Sequence, residues 1–127
     1  VKAAKDQILK NVGVAYIDLN GLKAINDNYG HSKGDKFICT AADTFKMVFP
    51  DNSYRVGGDE FVIIEQNIER DKYEERITAL KNIMQDKQVS ISIGVLWREQ
   101  VDDLEALLKS ADKLMYMEKE MYHKNRE

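Results

Sequence analysis

An α+β fold in the order β-α-β-β-α-β, an antiparallel sheet with flanking helices, is predicted by three features of this chain. The first is a nearly continuous apolar run, residues 12–18 (Val-Gly-Val-Ala-Tyr-Ile-Asp), of the kind a central strand shows. The second is a pair of short strand-forming runs, 53–56 and 60–65, joined through Gly57-Gly58-Asp59. Such a junction predicts a tight hairpin, because its turn needs the positive φ that glycine tolerates. The third is strict alternation over 89–95, with Val89, Ile91, Ile93 and Val95 set against Ser90, Ser92 and Gly94. That period of two predicts a strand with one face packed. Helical periodicities separate these runs, giving the split βαβ, ferredoxin-like arrangement with its helices on one face of the sheet.

Taken in order, residues 1–10 predict the end of a helix, with Ala3, Ala4, Ile8 and Leu9 apolar, broken by Asn11 and Gly13. After the first strand, residues 21–29 form a short helix ended by Gly30. Residues 34–49 form a longer one, with Phe37, Ile38, Ala41, Phe45 and Val48 on one face and Pro50 closing it. The hairpin follows. Residues 69–84 carry Tyr73, Ile77, Leu80 and Met84 at helical spacing. Residues 101–122 form the last helix, directing Leu104, Leu107, Leu108, Ala111, Leu114, Met115 and Glu118 inward. Its methionines, Met115, Met117 and Met121, suit core or interface packing.

At 127 residues the chain has room for one domain with a single core. A net charge of −3 provides no basic field to hold a nucleic-acid backbone, so any phosphate binding must be local. No apolar run approaches the ~20 residues of a membrane span, and no secretory signal opens the chain. Cys39, the one cysteine, excludes an internal disulfide, suits a reducing cytoplasm, and is expected as a small buried hydrophobe.

The chemistry concentrates in two acidic elements. Asp18 ends the first strand, and Asp59 and Glu60 sit on the hairpin that the topology brings beside it. Separately, Asp18 is a helix cap and the hairpin pair a solvated tip. Together they can hold Mg²⁺, with a backbone carbonyl, phosphates and waters completing an octahedron. Such an ion stabilises the charge that develops in phosphoryl transfer. Lys23 stands one turn into the next helix, where the backbone N–H groups of Gly21 and Leu22 favour an anion. Asn26 and Asp35 are either polar residues on helix surfaces or readers of a purine edge. A carboxylate accepts from N1–H and the exocyclic amine of guanine, and adenine offers no matching donor pair. His31 is expected to order its loop by hydrogen bonding. Lys119 is either solvated or a phosphate contact.

Four motifs carry a resemblance: Gly57-Gly58-Asp59-Glu60-Phe61, the run from Asp18 through Lys23, Asn26, Asp27, Gly30, His31 and Gly34 to Asp35, Ser90-Ile91-Ser92-Ile93-Gly94-Val95, and Ala111-Asp112-Lys113-Leu114-Met115-Tyr116 with Lys119 following. They span about Val12 to Lys119, in order, and resemble the GGDEF domain, the catalytic domain of diguanylate cyclases. The resemblance implies a nucleotidyl cyclase palm-like fold. It also implies joining of two GTP molecules into cyclic di-GMP, each 3′-oxygen displacing pyrophosphate from the other's α-phosphorus. In that scheme Asp18, Asp59 and the Leu19 carbonyl bind Mg²⁺ or Mn²⁺, and Glu60 assists at the metal or in deprotonating the 3′-hydroxyl. Leu22 and Lys23 lie against the substrate, Asn26 and Asp35 read guanine, and Lys23 and Lys119 hold the distal phosphates. A homodimer is needed, since each half-site brings one GTP. A covalently linked sensory domain, a cytoplasmic location and no nucleic-acid partner are implied as well. The alternative is a GTP-binding module without catalysis that regulates a partner domain.

The sequence departs from the family pattern at four places. The opening D-x-L-T-G-L-x-N-R run is absent, so residues 1–127 are expected to be a single GGDEF domain lacking that segment, a fragment of weak activity by itself. Asn20 replaces the second acid of the first motif, and His123 stands where an arginine often follows the helix lysine. The product-inhibition motif R-x-x-D reads Val48-Phe49-Pro50-Asp51, without its arginine.

Overall fold

Eight elements make up the computed structural model, which describes residues 8–126. They run β1 (Leu9–Leu19), α1 (Leu22–Tyr29), α2 (His31–Val48), β2 (Ser53–Arg55), β3 (Glu60–Glu65), α3 (Arg70–Asp86), β4 (Ile91–Val101) and α4 (Leu104–Arg126). The sheet order is β2-β3-β1-β4, with every neighbouring pair antiparallel. This is the expected α+β architecture, and β1 does lie between the hairpin and β4.

The two faces of β1 feed two cores. Ala15, Ile17 and Leu19 point to one side, where they meet Phe61, Ile63 and Ile93 from the sheet, Ala41 and Phe45 from α2, and Tyr73, Ile77, Leu80 and Met84 from α3. Val12 and Val14 point to the other, against Leu107 and Ala111 of α4. Burying each large apolar side chain contributes about 1.5–3 kcal/mol, so both layers hold the strand that ends in Asp18. Phe61 packs its ring 4.8 Å from that of Phe45, which anchors the start of β3, and with it Glu60, to α2.

Several expectations need correction. Helices cover both faces of the sheet rather than one. Accordingly β4 is not packed on one face only: Ser92 is fully buried, and a Cβ at Gly94 would lie 2.0 Å from the Ala111 carbonyl oxygen of α4. Glycine at that position is what lets the last helix approach. Of the helix end expected over 1–10, Leu9 and Lys10 belong to β1, while residues 1–7 lie outside the described residues. Asn11 does not break the chain: it takes φ 51° inside the strand, and its neighbours Lys10 and Val12 keep their pairing with Gln100 and Arg98. An asparagine tolerates that left-handed conformation. Gly57 and Gly58 do not adopt positive φ; the glycines that do are Gly21 and Gly30, flanking α1. Cys39 is exposed, and Met117 and Met121 are exposed while Met115 is core. Leu114 is 39% exposed, whereas Glu118, though exposed, turns its carboxylate to the sheet as expected, accepting from Ile93 N–H at 3.1 Å.

Candidate active site

Asp18 closes β1 on the face that looks toward α4. Its register partners are Glu60 on β3 and Ser92 on β4, and paired residues share a face. From above, Lys119 of α4 places Nζ 2.7 Å from Asp18 Oδ2. Asp18 is 6% exposed, and its Oδ1 is buried without a hydrogen-bond partner. Two influences oppose each other on this carboxyl. Burial, joined by the negative charge of Asp59, raises its pKa, and Lys119 lowers it; burial wins and the net shift is upward. Glu60 is also raised, by burial first and then by Asp18, Asp112 and Asp59. Tyr16, on the same sheet face, is raised by burial and by Glu60.

The hairpin tip is held against the end of β1. Leu19 N–H donates to the Asp59 carbonyl oxygen at 2.9 Å, and Asn20 N–H donates to the Ser90 carbonyl oxygen at 2.9 Å on the opposite side. In a trans peptide the C=O and N–H are antiparallel. The Leu19 carbonyl therefore faces the hairpin, beside Asp59. Arg55 closes the loop from within, donating from Nε to the Gly57 carbonyl oxygen at 3.1 Å and from Nη2 to that of Gly58 at 2.6 Å.

A hard divalent cation fits these residues. The donors are the orphaned Asp18 Oδ1, the Leu19 carbonyl turned toward the tip, and the Asp59 carboxylate, all oxygen, and a cation would offset both the burial and the neighbouring Asp59 charge that raise Asp18. Among the described residues no three acidic, histidine or cysteine side chains converge into a complete metal cage. A set of two carboxylates and a carbonyl leaves coordination positions for phosphate oxygens and water, as magnesium sites on nucleotides do.

Beside this point opens a cavity of about 440 Å³ lined by Leu19, Gly21, Leu22, Lys23, Asp59, Lys119, Tyr122 and His123. Across Lys119 lies another, of about 380 Å³, bounded by Asp18, Glu60, Asp112 and Tyr116. A cavity of about 460 Å³ between the end of α3 and β4 is larger, but it lies against Met84, Val89, Ile91 and Ile93, away from the paired carboxylates. Size is therefore a poor guide here.

The structure gathers Asp18, Leu19, Leu22, Lys23, Asp59, Glu60 and Lys119 around the strand end and these two cavities. Asn26 and Asp35 are placed apart, on the α1–α2 hairpin. Gly30 joins these helices with φ 87°, and its N–H donates to the Asn26 carbonyl oxygen. Gly34 packs so closely that an added Cβ would fall 1.7 Å from Asn26 Oδ1, an atom that is buried and unpartnered. Asp35, the next residue, is exposed. His31 opens α2, exposed, and its ring makes no hydrogen bond among the described residues, so it does not order the loop as expected. The sequence assigns no role to Arg55, Tyr16, Asp112 or Tyr122, although Asp112 stands in one of the four motifs. Arg55, two residues before Gly57, is the one whose position signals its part, since a cation there can cap the loop carbonyls.

Comparison with known proteins agrees with this fold. A sequence model of the family described as diguanylate cyclase, GGDEF domain, matches residues 2–125. The chain is 38% identical to the signaling protein YkoW of Bacillus subtilis over 124 residues, covering 87% of this chain and 15% of YkoW. It is 34% identical to diguanylate cyclase DgcS of Shewanella oneidensis over 116 residues, 86% of this chain and 39% of DgcS. It thus spans well under half the length of either relative. Its fold is similar to the active GGEEF domain of a diguanylate cyclase from Vibrio cholerae, with a TM-score of 0.73 at 25% identity over 85% of this chain and 76% of that one. The chain belongs to the GGDEF family of diguanylate cyclase domains.

Proposed function

We propose that this domain condenses two GTP molecules into cyclic di-GMP with release of two pyrophosphates. The observation that carries the reading is the bond from Leu19 N–H to the Asp59 carbonyl oxygen, which sets the hairpin-tip carboxylate beside Asp18 and its unpartnered oxygen. Asp18, Asp59 and the Leu19 carbonyl would hold Mg²⁺ or Mn²⁺. That ion, when bound, neutralises charge developing on the α-phosphate and orients it for in-line attack.

The chain's own side chains supply the rest. Lys119 and Lys23 line the cavity and hold the distal phosphates, and the start of α1 adds backbone N–H groups at Leu22. Glu60, with its pKa raised, is a stronger base than an ordinary carboxylate and accepts the proton of the 3′-hydroxyl at its carboxylate oxygen. Asn26 and Asp35 read the guanine edge. Because each domain binds one GTP, two copies must face each other, and a sensory domain in the cytoplasmic part of the parent protein would set how often they meet.

The test is incubation of the full-length parent with GTP and Mg²⁺, with nucleotides resolved by chromatography. Cyclic di-GMP and pyrophosphate are expected. GTP bound without turnover would make the domain a regulatory module instead, and no GTP binding would refute both readings.

A further inference from the structure

We propose that Asn20 is a positioning residue for this site, locking the Leu19–Asn20 peptide so that the Leu19 carbonyl stays turned toward Asp59. The proposal rests on the metal–nucleotide reading above. Asn20 occupies the place of the second acid of the first motif, and both ends of its side chain are used inside the protein. Its Nδ2 donates to Ser90 Oγ at 3.0 Å, and its Oδ1 accepts from Ser92 Oγ at 2.9 Å. Its own N–H donates to the Ser90 carbonyl oxygen at 2.9 Å. Asn20 is 5% exposed and Ser92 fully buried, so water cannot replace the bond between these two side chains.

Three contacts thus hold Asn20, and with it the N–H side of the Leu19–Asn20 peptide, against β4, while the bond from Leu19 N–H to the Asp59 carbonyl oxygen holds the preceding Asp18–Leu19 peptide against the hairpin. A peptide pinned at its own N–H, anchored through the next side chain and preceded by a second pinned peptide resists rotation, so its carbonyl direction is set before any ligand arrives. Outer residues that orient a ligand atom in this way typically change metal affinity ~10–100-fold when removed. An aspartate at position 20 would preserve the lock, because its carboxylate accepts from both serine hydroxyls.

The experiment uses the full-length protein and the variants Asn20→Ala, Ser92→Ala and Asn20→Asp. The Mg²⁺ concentration that gives half-maximal GTP binding is measured by calorimetry, and backbone amide exchange at Leu19 and Asn20 is measured without ligand. Asn20→Ala and Ser92→Ala should raise the Mg²⁺ midpoint about tenfold or more and speed the exchange, while Asn20→Asp stays near wild type in both. A wild-type midpoint and wild-type exchange in Asn20→Ala would overturn the proposal, as would equal losses in Asn20→Asp and Asn20→Ala. If the wild-type protein binds no GTP at any Mg²⁺ concentration, the proposed function falls. Ligand-free exchange then still decides whether Asn20 locks the peptide, and unchanged exchange refutes it.

Discussion

Lys119 Nζ stands 2.7 Å from Asp18 Oδ2, so the last helix supplies the counter-charge for the carboxylate at the end of the central strand. Burial would otherwise leave that carboxylate with only like-charged neighbours, Asp59 and Glu60. This contact joins the two ends of the sequence, and it places one amine where it can serve both Asp18 and a phosphate in the adjoining cavity.

Removing the amine should therefore cost stability as well as nucleotide affinity. Lys119→Ala is expected to lower stability at pH 7 by about 1–3 kcal/mol, the cost of leaving a buried polar group unsatisfied. Asp18 already titrates above its ordinary value, and losing Lys119 raises it further. The deficit should accordingly shrink as pH falls and Asp18 takes up its proton. Urea melts of both proteins at pH 7 and pH 4 check this; a deficit that grows in acid would contradict it.

Glu60 carries a cost of the same origin. Its native pKa lies above the unfolded value of 4.5, so the native state binds more protons and its contribution to stability is lost as pH rises through the native pKa. Glu60→Gln should melt higher than wild type at pH 7, the difference vanishing below about pH 4, while cyclic di-GMP formation is lost. Thermal melts across that range measure it.

Guanine selectivity is expected from Asn26 and Asp35. A site that leaves polar groups unpaired with the wrong base discriminates by about 100-fold or more. Calorimetry with GTP and with ATP, both with Mg²⁺, should show that gap, and Asp35→Ala should narrow it. Equal affinities would remove the assignment.

Turnover per domain should rise with protein concentration, because two bound GTP molecules must meet. Tethering two copies raises the local concentration to about millimolar, so a leucine-zipper fusion should restore activity at dilutions where the free chain is inactive. Full activity of the free chain at nanomolar concentration would contradict a two-half-site mechanism.

Much of this was legible in the sequence because it depends on local patterns and one topological rule. The apolar run ending in Asp18 and the hairpin before Phe61 fixed both carboxylates, and the split βαβ order set them side by side. What stayed hidden depends on register and on packing across the sheet. Asn20 finds Ser90 and Ser92 only because β1 and β4 align Asp18 with Ser92. The side taken by α4 is decided by Gly94, whose missing Cβ admits the Ala111 backbone, and alternation alone cannot distinguish that from a strand open to water. The turn through Gly57 and Gly58 takes no left-handed glycine, and Arg55 satisfies its carbonyls, a side-chain contact that the glycine pattern does not announce.

The central claim is that Asp18 and Asp59 form one site for a metal and a nucleotide. Calorimetric titration of GTP into the wild-type chain and Asp59→Asn, with and without Mg²⁺, tests it most directly. The account predicts Mg²⁺-dependent binding to wild type and at least a tenfold loss in Asp59→Asn, about 1.4 kcal/mol. Equal affinity in both proteins, or binding to wild type indifferent to Mg²⁺, would contradict it.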